Sequence, residues 1–120
     1  MMLPPGTRVR LRTTHTDMRC GFDSLAGIIR SAKMGDPLDG TLYVFRNRSA
    51  NRLKILYWDR DGLAIWNKRL EKGTFKFPAD PASARPEDLA LILGGFDPQS
   101  VKRLPRYALK TAQEKSTKSA

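Results

Sequence analysis

The sequence predicts a small α+β single domain: an antiparallel meander of three to five strands, with one helix before it and one after it. Three observations carry the prediction. Phe22, Leu25, Ala26 and Ile29 recur at i, i+3, i+4 and i+7, the spacing of a buried helical stripe. Short apolar runs then crowd into residues 42–66, with connections too short for a parallel crossover. Finally, an apolar stretch led by Pro86 and closed by Gly94-Gly95 carries the punctuation of a second helix. The 120 residues, 40% hydrophobic and 8% aromatic, suit one domain with a real core. That domain is expected to span 1–97, with a basic, flexible C-terminal tail over 98–120.

The elements follow in order. Arg8-Val9-Arg10-Leu11-Arg12 alternates strictly, so Val9 and Leu11 share one face of a strand and three arginines the other. Thr16 can cap a turn before the helix that starts at Gly21, and Arg30 and Lys33 suit the negative end of its dipole. Gly35, Pro37 and Gly40 end that helix. Leu42-Tyr43-Val44-Phe45 is a first meander strand and 46–52 a polar connector. Leu53 to Trp58 is a second strand, Asp59-Arg60-Asp61-Gly62 a tight turn, and Leu63 to Trp66 a third strand. Trp58 and Trp66 can pair across that hairpin, and Phe75 and Phe77, alternating with Thr74 and Lys76, make a possible fourth strand. Pro78, Pro81 and Pro86 break the sheet, after which Leu89, Ile92 and Leu93 give the last helix its apolar side.

Charge points to a class of partner. Lys and Arg number 22 against 12 acids, a net charge of +10, which attracts polyanions at long range. The excess is uneven: +8 over residues 1–77 (15 basic, 7 acidic), −3 over 78–97, and +5 over 98–120. Arg46, Arg48 and Arg52, with Lys54 just beyond, cluster around one loop together with Asn47, Ser49 and Asn51, which can also reach phosphate or sugar. A solvated polar loop has the same composition. Lys68, Arg69, Lys72 and Lys76 extend the positive surface.

Catalytic and metal chemistry are poorly supplied. His15 is the only histidine and Cys20 the only cysteine, which rules out an internal disulfide and a four-ligand zinc site of Cys and His. Nothing marks Cys20 as an activated thiol. Asp17, Asp23, Asp59 and Asp61 could serve a metal-dependent nuclease, but each sits where an acid caps a helix or shapes a turn. No apolar run approaches the roughly 20 residues of a membrane span, and the N-terminus lacks the pattern of a secretory signal. No metal and no cofactor are expected.

Several motifs carry a family resemblance. Thr16-Asp17-Met18-Arg19, Gly21-Phe22-Asp23 and Leu25-Ala26 come first, then Leu42-Tyr43-Val44-Phe45 followed by arginine. Arg52-Leu53-Lys54-Ile55-Leu56 with Trp58-Asp59 and Gly62-Leu63 is the most specific stretch, and Lys68-Arg69-Leu70-Glu71 with Gly73 and Phe75 completes the set. Together these resemble the TnpB accessory proteins of bacterial insertion-sequence-66 transposons, over about residues 8–96. That family is distinct from the RNA-guided nuclease sharing the name TnpB. Cys20 stands where a lysine or another polar residue is usual, and Asn67 where an aromatic is common. The resemblance implies a cytoplasmic bacterial protein encoded beside a larger transposase and assisting transposition, and it brings no catalytic residues.

The expected function is therefore non-enzymatic: binding DNA, at the transposon end or the target, mainly through phosphates. The residues expected to do so are Arg8, Arg10, Arg12, Arg19, Arg46, Arg48, Arg52, Lys54, Lys68 and Arg69. RNA would satisfy the same charges. The expected protein partners are the transposase and other products of the element, with no membrane. One alternative is an adaptor that bridges transposase subunits without touching DNA; another is a nuclease subunit built on Asp59 and Asp61.

Overall fold

Alternation along each strand decides which side of the sheet a residue serves. The computed structural model describes residues 6–81 and 84–109. Its elements run β1 (Val9–Leu11), α1 (Phe22–Ser31), β2 (Leu42–Arg46), β3 (Arg52–Asp59), β4 (Gly62–Arg69) and α2 (Pro86–Leu93). The four strands form one sheet in the order β1-β2-β3-β4. On one face Val9, Leu11, Leu42, Val44, Leu53 and Ile55 are buried against Leu89 and Ile92 of α2 and against Leu70 and Phe75. On the other, Tyr43, Phe45 and Leu56 are buried against Leu25, Ala26 and Ile29 of α1, with Met18 and Met34 closing the cluster. The result is a sheet between two helical layers, each helix hiding one apolar face.

The strands β2, β3 and β4 are the expected antiparallel meander. The first strand is different. Val9 pairs with Leu42 and Leu11 with Val44 in parallel, so the sheet is mixed and α1 is the crossover that parallel pairing requires. Both helices stand where periodicity and punctuation put them. In α1, Asp23 lies in the first turn and Arg30 in the last, matching the dipole. In α2, Asp88 accepts a hydrogen bond from the Arg85 N–H at 2.9 Å, tying down the first turn. Gly95 takes φ +87°, and the Phe96 N–H reaches the Leu91 carbonyl at 2.9 Å, a glycine-terminated helix end.

Four local expectations are corrected. Phe22 is 49% exposed although it shares the angular position of Leu25 and Ile29. The sheet beneath the start of α1 offers Lys54, whose ammonium donates to the Cys20 carbonyl at 2.8 Å, in place of an apolar surface. Thr16 caps nothing, since its buried hydroxyl has no partner; Asp17 shapes the turn by accepting from the Arg19 N–H at 2.8 Å. The two tryptophans do not face each other. The turn is only Arg60-Asp61, so Trp58 sits opposite Leu63, and Trp66 lies opposite Ile55 and packs against the α2-side cluster. Phe75 and Phe77 form no strand. The Phe75 N–H bonds the Ala50 carbonyl at 2.7 Å and its ring is buried, so this segment runs under the sheet instead of along its edge.

The domain also extends past residue 97. The Leu104 N–H bonds the Gly95 carbonyl at 2.8 Å, and Phe96 pairs with Arg103. Gly73, at φ +88°, lies so close to the Pro105 carbonyl that a Cβ there would overlap it. The return of the chain to residue 106 therefore belongs to the folded body, because the open backbone of Gly73 lets it dock. The last residues of the expected tail, 110–120, lie outside the described residues.

Candidate nucleic-acid interface

The register sorts charge along the strands. At one end, Arg52 pairs with Arg69, Leu53 with Lys68 and with Arg46, and Lys54 with Asn67. Arg48 projects from the loop joining β2 to β3 at that same end. Arg12, just past β1, arrives there too, its N–H bonded to the Val44 carbonyl at 2.9 Å. Asp59 and Asp61 mark the opposite end, at the β3–β4 turn, and Asp36 and Asp39 precede β2 there. The eight residues of β3 hold the two ends roughly 24 Å apart. Arginines and lysines thus gather at one end of the sheet, and four of the nine aspartates, Asp36, Asp39, Asp59 and Asp61, stand at the other.

Half of the ten expected contact residues already have partners inside the molecule. The Arg46 guanidinium donates to the Phe75 carbonyl at 3.0 Å and lies 4.0 Å over the Phe77 ring. Burial lowers its pKa, as it does for any cation taken from water. Arg46 thus clamps the segment carrying Phe75 and Phe77 to the end of β2. Arg8 donates to the Asp39 carbonyl at 2.9 Å, at the acidic end. Arg19 forks onto Asp17, with Nη2 at 2.6 Å from Oδ2. Lys54 holds the Cys20 carbonyl, and Arg69 bonds Glu71 at 3.0 Å. Both side chains of that last pair are more than half exposed, so water and salt screen it and Arg69 can exchange partners.

Arg10, Arg12, Arg48, Arg52 and Lys68 have no side-chain partner among the described residues, and Nε of both Arg12 and Arg52 is buried and unbonded. Arg48 and Lys68 are exposed and Arg52 half-buried. At this end of the sheet the structure leaves Arg12, Arg48, Arg52 and Lys68 without side-chain partners among the described residues and Arg69 in a screened pair, with Lys72 just beyond β4.

One basic residue of this end was missed, because it falls in the expected tail. The return of the chain brings Arg106 beside Lys68, Arg69, Lys72 and Leu93 around a cavity of ≈ 270 Å³. Its guanidinium stands 5.6 Å from the Phe75 ring, and burial lowers its pKa. Gly73 is the only signal in the sequence for this docking, and it does not name its partner.

Asp17 and Asp23 stand apart from Asp59 and Asp61. Asp17 is neutralised by Arg19, first through the side-chain hydrogen bond and then the backbone one, and its pKa falls to about 2. Asp23 lies in the first turn of α1, whereas Asp59 and Asp61 flank the far turn. No group of three or more His, Cys, Asp or Glu that could hold a metal ion occurs among the described residues. No helix among them is long and apolar enough to cross a membrane.

The described residues thus form a small α+β domain in a strongly basic chain. Over residues 7–103 the chain matches the family described as IS66 Orf2-like protein (TnpB_IS66), and it belongs to that family. Membership gives it an accessory role in transposition, in a family not known for catalysis. It is 44% identical over 101 residues to the uncharacterised protein y4hO of Sinorhizobium fredii, covering 80% of this chain and 88% of that one. A second uncharacterised protein of that organism, y4jC, is 37% identical over 103 residues, covering 83% and 88%. No solved structure matches the chain.

Proposed function

We propose that this protein binds DNA through the basic end of its sheet, mainly by phosphate contacts, and so assists a separate transposase on transposon-end or target DNA. One observation carries the reading: along β3 and β4, Arg52, Lys54, Lys68 and Arg69 gather at one end, and Asp59 and Asp61 stand at the other. Such a dipole orients the molecule as well as attracting it, because a polyanion draws one end and repels the other. Arg48 and Lys68 reach solvent without partners, and Arg69 gives up only a screened ion pair to make a new contact. Phosphate contacts position a protein without reading sequence, so in this reading sequence selection falls to the transposase.

The test is a gel-shift titration across salt with transposon-end and random duplexes. Arg48→Gln, Lys68→Gln and Lys72→Gln combined should flatten the logarithmic salt dependence by about 2.7, at roughly 0.9 per lost phosphate contact. Arg60→Gln, at the acidic end, should leave the slope unchanged. An unchanged slope in the triple variant would remove this end of the sheet as the contact surface. A wild-type protein that shifts no DNA at moderate salt, yet captures transposase after nuclease treatment, would replace the reading with the adaptor.

A further inference from the structure

The outer edge of β4 has no partner among the described residues. It is last in the strand order, and the backbone bonds at its ends, Asp61 N–H to Asp59 and Leu70 N–H to Asn51, turn back toward β3. An edge of eight residues leaves alternate N–H and C=O groups open to another strand. Sheets normally protect such an edge with a charge, a proline or a bulge in mid-strand. Here the middle is Leu63, Ala64, Ile65 and Trp66, all half-buried, and charges stand only at the ends. Asp61 immediately precedes the strand, and Lys68 and Arg69 finish it. A strand acidic at its start and basic at its finish complements itself when reversed.

We propose that β4 pairs antiparallel with β4 of a second copy of this chain, about a twofold axis normal to the sheet and centred on Ile65. Such an axis keeps the two faces of the joined sheets continuous, so residues that meet must have the same side-chain direction. Centred on Ile65, the pairing sets Ile65 against itself, Leu63 against Asn67, Ala64 against Trp66, and Asp61 against Arg69. The twofold makes that last pair twice. Moving the centre to Ala64 sets Asp61 against Asn67, and moving it to Trp66 sets Asp61 against Glu71. The Ile65 centre is the one that joins opposite charges at both ends. Asp61 has no side-chain partner of its own among the described residues, and Arg69 gives up only an exposed pair with Glu71. Joined this way, the two four-stranded sheets become one continuous sheet with a basic end at each extremity of the seam. The pairing depends on the edge of β4 and not on DNA.

Sedimentation equilibrium of the full chain, without nucleic acid and over about 1 to 200 µM, reads it directly by mass action. The expected species at the upper end has twice the chain mass of 13.5 kDa. Asp61→Arg alone and Arg69→Asp alone should each weaken association at least tenfold. An equimolar mixture of the two single variants should restore it, because each chain then offers the charge the other lacks. Residues 61 and 69 lie at opposite ends of one strand, so restoration in the mixture cannot come from within a chain. Far-UV circular dichroism of each variant confirms that the swap leaves the fold intact. A wild-type protein that stays monomeric throughout overturns the proposal. So does association that ignores both swaps, or a mixture no tighter than either variant by itself.

Discussion

Two phenylalanines that the sequence pattern alike puts on apolar faces have opposite fates, and replacing each by alanine measures the difference. Phe75 is 1% exposed and Phe22 is 49% exposed. The Phe75 ring fills the space between the α2-side face of the sheet and the returning chain, beside Leu53, Leu70 and Ile92 and under the Arg106 guanidinium. Removing it takes away the transfer free energy of a buried ring and leaves a cavity whose walls are anchored by backbone hydrogen bonds. The cost is about 3–5 kcal/mol. For a domain of this size each kcal/mol lowers the midpoint by about 4 °C or more, so Phe75→Ala should melt at least about 12 °C lower. Phe22 has little contact to lose, and alanine is the better helix former, so Phe22→Ala should stay within about 0.5 kcal/mol of wild type. Urea and thermal unfolding followed at 222 nm read both variants. Equal losses, or a larger loss at Phe22, would refute the placement of the two rings and restore the simple helical stripe.

Three further outcomes are expected. Gly35 has φ +149°, and a Cβ there would overlap the Tyr43 hydroxyl, which lies 3.1 Å from Asp39 Oδ2; Gly35→Ala should cost about 2 kcal/mol or more, and Tyr43→Phe, worth about 1 kcal/mol alone, should recover part of that loss in the double variant, as a double-mutant cycle in urea would show. Gly73→Ala should undock the returning chain, so that the Leu104 amide loses hydrogen-exchange protection while the Leu56 amide in β3 keeps its own; equal protection at both would count against the docking. The Asp17 carboxyl, lowered from 3.8 to about 2 by Arg19, favours the folded state above its ordinary pKa and loses that contribution as pH falls toward 2. Its carbon-13 shift should titrate near 2, and Arg19→Ala should move the midpoint up toward 3.8.

The elements that could be read from the sequence are those where periodicity and punctuation agree. Pro86 and Gly94-Gly95 bracket Leu89 and Ile92, and Asp61-Gly62 sits between two apolar runs, so α2 and the β3–β4 hairpin are legible without coordinates. Strand direction is not legible in β1, because alternation of Val9 and Leu11 is the same for parallel and antiparallel pairing. Phe22 satisfies the helical period, but its exposure depends on Lys54, more than thirty positions away. The basic loop shows the same limit. Arg46, Arg48 and Arg52 look equivalent as composition, yet Arg46 continues the inward parity of Leu42 and Val44, which carries it over the face where Phe75 and Phe77 lie. Composition therefore located the basic end, and only register could say which guanidiniums remain open to a ligand.

The parallel strand has a consequence for the order of assembly. Val9 reaches Leu42 only after the whole crossover has closed, whereas each meander strand meets its neighbour across a short turn. Loop closure makes the distant contact entropically slower, and three residues of pairing return little for it. The hairpins can therefore form first, with the N-terminal strand zipping on last and peeling off first. Arg10 and Arg12 ride on that late piece, so their placement waits for the rest of the sheet.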